Sequence, residues 1–338
     1  MAATQADVAR LAGVSQRTVS NVVNKFPYVS AETSERVHQA IAQLNYAPSH
    51  AARSLRSGRS RMLQLVIPEL DVPYFAELGR DILKYAEDRG FGVMIRQTLG
   101  SQRREQDALE GSIADYAEGT ILSAVQSIEH LVQLSRDHTP VVLIGELSGM
   151  NVVDHIGIDD VAAAAQATAH LVTRGCRRIA FIGADPNASL RMAELRLRGY
   201  QQALAAAGLA IDESLVFRAT SYHRRDGEEA MSTLLELEPR PDGVFCATDL
   251  LALGALKAAR HAGVRVPEDV AIMGFDGLEE GEYSVPSLST IAPDKEELAR
   301  VAVDTLLARI DALSSAGVEL PARDILIPFT LVVRGSTS

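Results

Sequence analysis

The chain has 338 residues, 47% of them hydrophobic and 23% charged, and a net charge of −11 at neutral pH. That is too long for one core and implies two or three domains. Two cysteines, Cys176 and Cys246, are too few for a disulfide framework and are expected as reduced, packed thiols. No apolar run approaches the ~18 residues of a membrane span, and MAATQADVAR lacks the apolar core of a signal peptide, so a cytoplasmic protein with no membrane partner is expected.

The charge is unevenly placed. Residues 1–61 hold eight basic side chains against three acidic ones, and the remainder holds 25 against 41. A basic head on an acidic body can bind nucleic acid through the head while the body resists indiscriminate adsorption.

Within the head, TQADVARLAG (4–13) reads as a helix capped by Thr4, with Val8, Leu11 and Ala12 turned inward and Gly13 ending it where positive φ is wanted. Ser15 starts a second helix almost at once, as an N-cap. In VSQRTVSNVVN (14–24) Val19, Val22 and Val23 recur at i, i+3 and i+4 and so share one buried stripe. β-branched residues lose rotamer freedom in a helix, and so short a helix is marginal alone, so neighbours must hold it. Opposite lie Gln16, Arg17, Ser20, Asn21 and Asn24, on one outward ridge. Gln, Arg and Asn match base edges in a major groove, whereas a merely solvated face more usually carries Lys and Glu. Standing alone, the segment would be read as an ordinary amphipathic helix. A third helix is expected from Ser30 to Leu44, with Thr33 behind the cap and Val37, Ala40, Ile41 and Leu44 roofing the first two, and Pro48 stops it. Two short helices at a sharp turn form a helix-turn-helix unit. SHAARSLRSGRSR (49–61) is helical in composition from Ser49 to Arg56 and ends as a Ser/Gly/Arg linker.

From Met62 strands alternate with helices. Strand-like runs are LQLVIP (63–68), FGVMI (91–95), TILS (120–123), VVLIG (141–145), RIAFIG (178–183), GVFCAT (243–248) and VAIMGF (270–275), separated by stretches such as FAELGRDILKYAEDRG and LLALGALKAARHAG. Such βα units build parallel sheets covered by helices. The pattern restarts near Asp160, so an α/β body of two similar doubly wound subdomains facing a cleft is expected, with ligand beyond the carboxyl ends of the strands.

Together these stretches carry a resemblance. DVARLAGVSQRTVSNVVN, PYVSAETSERV, AARSLRSGRSR, PYFAEL, RLRGYQQAL, CATDLLALGAL and VPEDVAIMGFD are similar, over essentially the whole chain, to the lactose-repressor (LacI/GalR) family of bacterial transcription factors. The resemblance implies a sequence-specific regulator, expected as a repressor. A homodimer reads a near-palindromic double-stranded operator, and a periplasmic-binding-protein-like body senses a small-molecule effector such as a sugar, polyol or nucleoside. The implied domains are 1–48 (DNA-binding), 49–61 (hinge helix and linker) and 62–338. The last divides into an N-subdomain of about 62–160 plus 291–320 and a C-subdomain of about 161–290 plus 321–338. LVVRGSTS carries no heptad tail, so a dimer is expected in preference to a coiled-coil-linked tetramer.

On the same resemblance Gln16, Arg17 and Asn21 reach base edges, with Arg17 suited to guanine and Gln16 or Asn21 to adenine. Ser15, Thr18, Ser20, Asn24, Tyr28 and Ser30 are placed for phosphates, although capping explains Ser15, Ser30 and Thr33 about as well. Ala52, Leu55 and Arg56 match a hinge helix whose leucine wedges into the minor groove. The effector candidates are Tyr74, Phe75, Glu146, Arg196, Tyr222, Asp249 and Asp276, since flat aromatic faces and a bidentate arginine or carboxylate suit a hydroxyl-rich or planar ligand. A core position for Tyr222 and an N-cap role for Asp249 stay open. Ser49, where asparagine is usual in the family, DVPYF in place of an asparagine-proline start, and Ala292, where glutamine is common, depart from the family pattern. No G-x-x-x-x-G-K-[ST], G-x-S-x-G or H-E-x-x-H occurs and the eight histidines are scattered, so no catalytic residue, metal or cofactor is expected. The competing readings are a sugar-binding protein or an enzyme on the same α/β fold. A secreted carrier would need a signal and has no use for the basic head.

Overall fold

A computed structural model describes residues 3–23, 26, 28–46, 59–110, 116–125, 139–145, 153–185, 191–318 and 320–338. The chain divides into two compact units, Met1–Arg61 and Met62–Ser338.

The first unit is three helices. α1 (Gln5–Ala12) opens with a reciprocal cap: Asp7 N–H donates to Thr4 Oγ1 at 3.3 Å and Thr4 N–H to Asp7 Oδ2 at 2.9 Å. Gly13, at φ 66°, ends it. Ser15 Oγ accepts the Thr18 N–H at 3.1 Å and starts α2 (Gln16–Val23), and Ser30 does the same for Thr33 at 3.3 Å ahead of α3 (Ala31–Gln43). The core consists of Val8, Ala9, Ala12, Val19, Val22, Val37 and Ala40, with Val23, Ile41 and Leu44 packed at its edge. The valines of α2 are therefore the packing that holds it. Leu11, expected inward, is 47% exposed. The small Ala9 and Ala12 let α1 approach its neighbours closely, and the wider leucine is left on the flank.

The second unit contains two sheets, each of six strands among the described residues. The first joins β1 (Met62–Ile67), β2 (Gly92–Gln97), β3 (Gly119–Leu122), β4 (Val141–Ile144), β5 (Asp154–Gly157) and β11 (Asp324–Leu326) in the order β11-β5-β4-β3-β1-β2, all parallel. The second joins β6 (Ile179–Ala184), β7 (Val216–Arg218), β8 (Gly243–Cys246), β9 (Ala271–Phe275), β10 (Ser289–Pro293) and β12 (Phe329–Val332) in the order β12-β10-β9-β8-β6-β7, parallel except for β10 with β12. All seven expected strands are present to within two residues at each end, whereas β5, β7, β10, β11 and β12 are additional.

Helices cover these sheets: α4 (Pro73–Asp88), α5 (Gln102–Glu110), α6 (Asp160–Thr173), α7 (Arg191–Ala206), α8 (Arg224–Leu235), α9 (Asp249–His261), the short α10 (Glu279–Tyr283) and α11 (Lys295–Ala316). The alternation of strand side chains decides who packs where. Leu63, Leu65 and Ile67 face a core shared with Leu78 and Ile82 of α4 and with Leu298, Ala302 and Leu306 of α11, while Val66 faces a second one with Ala108 of α5. The chain passes between the sheets after β5, after β10 and after β11. The last two passages fall later than the expected boundaries at 291 and 320: residues 291–293 still belong to the second sheet, and 324–326 belong to the first. Among the described residues no helix is long and apolar enough to cross a membrane.

Backbone contact between helices sets the shape of the second subdomain. A Cβ on Gly254 of α9 would lie 1.9 Å from the Arg224 carbonyl oxygen, and one on Gly227 of α8 would lie 2.0 Å from that of Leu251. The two helices touch through reciprocal glycines. Gly254→Ala is expected to force them apart and to cost about 1–3 kcal/mol, read as a lower urea midpoint; an unchanged midpoint would contradict this packing.

Candidate functional site

Two groups of side chains stand out, one in each unit. On α2, Gln16 and Arg17 are exposed and Asn21 is half-buried. All three sit on one short helix whose valine stripe is buried beneath. Gln5 Nε2 donates to the Gln16 carbonyl at 3.1 Å, which ties α1 to the start of α2. Thr18 and Ser20 are half-buried, and Tyr28 is 92% exposed. Ser15 and Ser30 are exposed caps, with hydroxyls also bonded to Thr18 and Thr33 at 2.9 Å. Asn24, Ala52, Leu55 and Arg56 lie outside the described residues.

In the second unit a cavity of about 190 Å³ lies between the two sheets, at the carboxyl ends of their strands. Pro68 and Glu69 follow β1, Ser123 to Val125 follow β3, Gly145 follows β4, Thr248 follows β8 and Asp276 follows β9, and all of them line it. Tyr74 and Phe75, packed edge to face at 5.3 Å, enter from the first turn of α4, where Pro73 sits at the helix start. Tyr222 and Arg196 complete the expected residues found there.

Arg196 is buried, and its position follows from its helix. Ala193, Arg196, Gly199 and Tyr200 form the inner face of α7, and a Cβ on Gly199 would lie 2.4 Å from the Val161 carbonyl oxygen of α6. That close approach brings the guanidinium to the start of α6. Nε donates to Asp160 Oδ1 at 2.9 Å, Nη1 donates to the Ala247 carbonyl at 2.6 Å and to Asp276 Oδ1 at 3.4 Å, and the group lies 3.6 Å over the Phe275 ring. Arg196, expected as an effector anchor, lines the cavity while its Nε and Nη1 are engaged within the protein, Asp276 among their partners.

Asp276 and Tyr222 both line the cavity in the left-handed region, at φ 121° and 58°. Neither residue favours that conformation, so surrounding contacts must hold it. For Asp276 these are its N–H to the Ile291 carbonyl at 2.8 Å and the Lys295 ammonium, which donates to the Asp276 and Gly277 carbonyls at 2.8 and 2.9 Å and pairs with Glu77 at 2.6 Å. For Tyr222 it is the hydroxyl donated to the Gly183 carbonyl at 3.1 Å.

Asp249 does not line the cavity. Thr248, the preceding residue, caps α9 by accepting the Leu251 N–H at 3.2 Å and is the one that faces the cavity. Asp249 is fully buried behind it and accepts the Thr290 hydroxyl at 2.7 Å and the Leu278 N–H at 2.8 Å. Burial pushes its carboxyl well above the usual range, and the negative charge of Asp276 adds to the effect. Burial likewise raises Asp276, against the pull of Arg196 and Lys295. Glu146 lies outside the described residues. Ser123, Val125, Met192, Ser221, Thr248 and Leu250 line the cavity and were not anticipated. Ser123 and Thr248 end strands read from sequence, so the rule placing ligands at strand carboxyl ends could have found them.

Residues 4–49 match the bacterial regulatory proteins of the lacI family, and 168–337 match a periplasmic binding protein-like domain. The HTH-type transcriptional repressor PurR of Haemophilus influenzae (strain PittEE) is 32% identical, covering 99% of this chain and 98% of that protein. The ribose operon repressor of Haemophilus influenzae (strain ATCC 51907) is 34% identical over 91% of this chain and 92% of its own. Among solved structures, the lac repressor dimer bound to operator and the anti-inducer ONPF is 26% identical, covering 100% of this chain and 99% of that one with a TM-score of 0.85.

The buried carboxyl of Asp249 makes stability depend on pH with a definite sign. Its folded value is raised above the unfolded one of about 4, so its stabilising contribution is full below that pH and is lost as the pH rises toward the folded value. Asp249→Asn is expected to keep the fold and to flatten the decline in thermal midpoint between pH 5 and 8; parallel wild-type and variant curves would contradict the assignment.

Proposed function

The chain belongs to the lacI family of bacterial regulatory proteins, and on that premise we propose a cytoplasmic homodimeric repressor that reads a near-palindromic operator and is switched by a small molecule held between the two sheets of its body. The observation that carries this is the outward face of α2: an exposed Gln16–Arg17 pair beside Asn21, on a capped helix too short to stand without the valines beneath it. Its side chains carry no aliphatic payload for a protein partner and have the donor and acceptor pairs of base readers. Arg17 addresses a guanine edge, and Gln16 and Asn21 address adenine. Ser15, Thr18, Ser20, Asn24, Tyr28 and Ser30 contact phosphates and set register. In the linker, Ala52, Leu55 and Arg56 enter the minor groove when two chains bind together.

In the body Asp276 accepts ligand hydroxyls, oriented by Arg196, while Tyr74, Phe75 and Tyr222 supply flat faces. Because the cavity wall is drawn from both sheets, an occupant has differential contact with the open and closed arrangements. That differential is the requirement for switching.

Arg17→Ala is expected to weaken operator binding by about 1–3 kcal/mol and to relax choice at one base pair. Anisotropy titrations on operator and on random duplex test this, and equal losses on both would refute base readout by Arg17.

A further inference from the structure

We propose that Glu69 and His223 form a strap across the lip of the cleft, one that holds the two halves of the body together at the edge away from their crossovers and has to part before a small molecule passes. The proposal rests on the cleft being the effector site.

Topology is the first ground. The chain leaves one sheet for the other at β5, β10 and β11, and these strands, with β12, take the first two places in their sheets. Glu69 follows β1, fifth in the first sheet, and His223 follows β7, sixth in the second. Their side chains meet across the cleft, Glu69 Oε2 to His223 Nε2, at 3.0 Å. Neighbouring strands lie about 4.8 Å apart, so the pair stands roughly 15–24 Å from the crossover strands, and a rotation of about 10° about that edge would part it by roughly 3–4 Å. A 3.0 Å contact does not survive that.

Anchoring is the second ground. Partners on slack loops would follow the motion, and these two cannot. Beside Glu69, the Leu99 N–H donates to the Pro68 carbonyl at 2.7 Å and the Leu70 N–H donates to Gln97 Oε1 at 2.9 Å, which fixes the segment to the end of β2. Ahead of His223, the Asp226 carboxylate accepts the Ser221 N–H at 2.9 Å and the Ser221 hydroxyl at 2.7 Å, and the Tyr222 hydroxyl donates to the Gly183 carbonyl at 3.1 Å. Each partner is held by its own half of the body. His223 is the N-cap residue of α8, yet its ring gives the helix no capping bond. The ring serves the crossing contact instead.

Placement at the cavity is the third ground. Glu69 lines the cavity, and so do Ser221 and Tyr222 immediately ahead of His223. The two side chains keep 31% and 38% of their surface, so the pair sits on the rim, partly in water. Such a pair contributes modestly. It biases the halves toward contact without fixing them there.

The test reads access to the cavity and needs no ligand, so its outcome is separate from the question of what the cleft binds. Ser123→Cys places a thiol on the cavity wall at a position 7% exposed, and the native Cys176 and Cys246 are buried. The full-length protein carrying this change is the parent, uncharged N-ethylmaleimide is the probe, and mass spectrometry assigns the label to residue 123. Glu69→Ala and His223→Ala are each expected to raise the labelling rate of the new thiol about two- to fivefold. The double variant is expected to match the larger of the two, since either change alone already parts the strap. His223→Arg, which keeps a cationic donor at the lip, is expected to stay at the parental rate. Unchanged rates in both single variants overturn the proposal. So does a double variant whose effect is the product of the two, the signature of side chains that merely obstruct the passage, and so does a His223→Arg rate equal to that of His223→Ala.

Discussion

A guanidinium taken out of water has to be answered by opposite charge, and much of the cleft is arranged around Arg196. Removing one partner from such a buried pair costs about 3–5 kcal/mol, so Asp160 and Asp276 are held as firmly as the arginine itself. That requirement fixes several elements at once. α6 and α7 must run close enough to share Gly199, β8 must end with the Ala247 carbonyl in reach, and β9 must deliver Asp276 through a turn at φ 121°. Lys295 then pins that turn from the first residue of α11.

The head obeys a different economy. Its core is a handful of valines and alanines, so each helix depends on caps: Thr4, Ser15 and Ser30 satisfy backbone donors that so small a core could not compensate. A helix stabilised from beneath and at its start has its outer face unencumbered. In α2 that face carries Gln16 and Arg17, and the β-branched residues that look unsuited to a helix are the ones that make it possible.

The parts legible in sequence share a local cause. Caps are read from one or two residues, the seven hydrophobic strands from short runs, and the α2 ridge from spacing. What was missed depends on partners far along the chain. β5 is spelled DHIG, and its Asp154 and His155 are buried only because Arg309, Arg323 and Asp324 meet them from about 150 residues away or more. β7, β11 and β12 are edge strands of three or four residues with half-exposed patterns. Asp249 was legible as opening a helix, but its burial against Thr290 depends on β10, which no local pattern announced. Tyr74, Phe75, Tyr222, Arg196 and Asp276 do converge on the cavity, whereas the protein partners of Arg196, namely Asp160, Ala247 and Asp276, come from three separate elements that no local pattern links.

The proposed function joins the two units: a DNA-binding head, acting as a pair, whose affinity for duplex DNA answers to what the cleft of the body holds. Selection of bound duplexes from a random-sequence pool by the purified full-length protein, followed by sequencing, tests it most directly. The account predicts one enriched motif made of two inverted half-sites at fixed spacing. Recovery of unenriched sequence, or of a single half-site with no inverted partner, would contradict it.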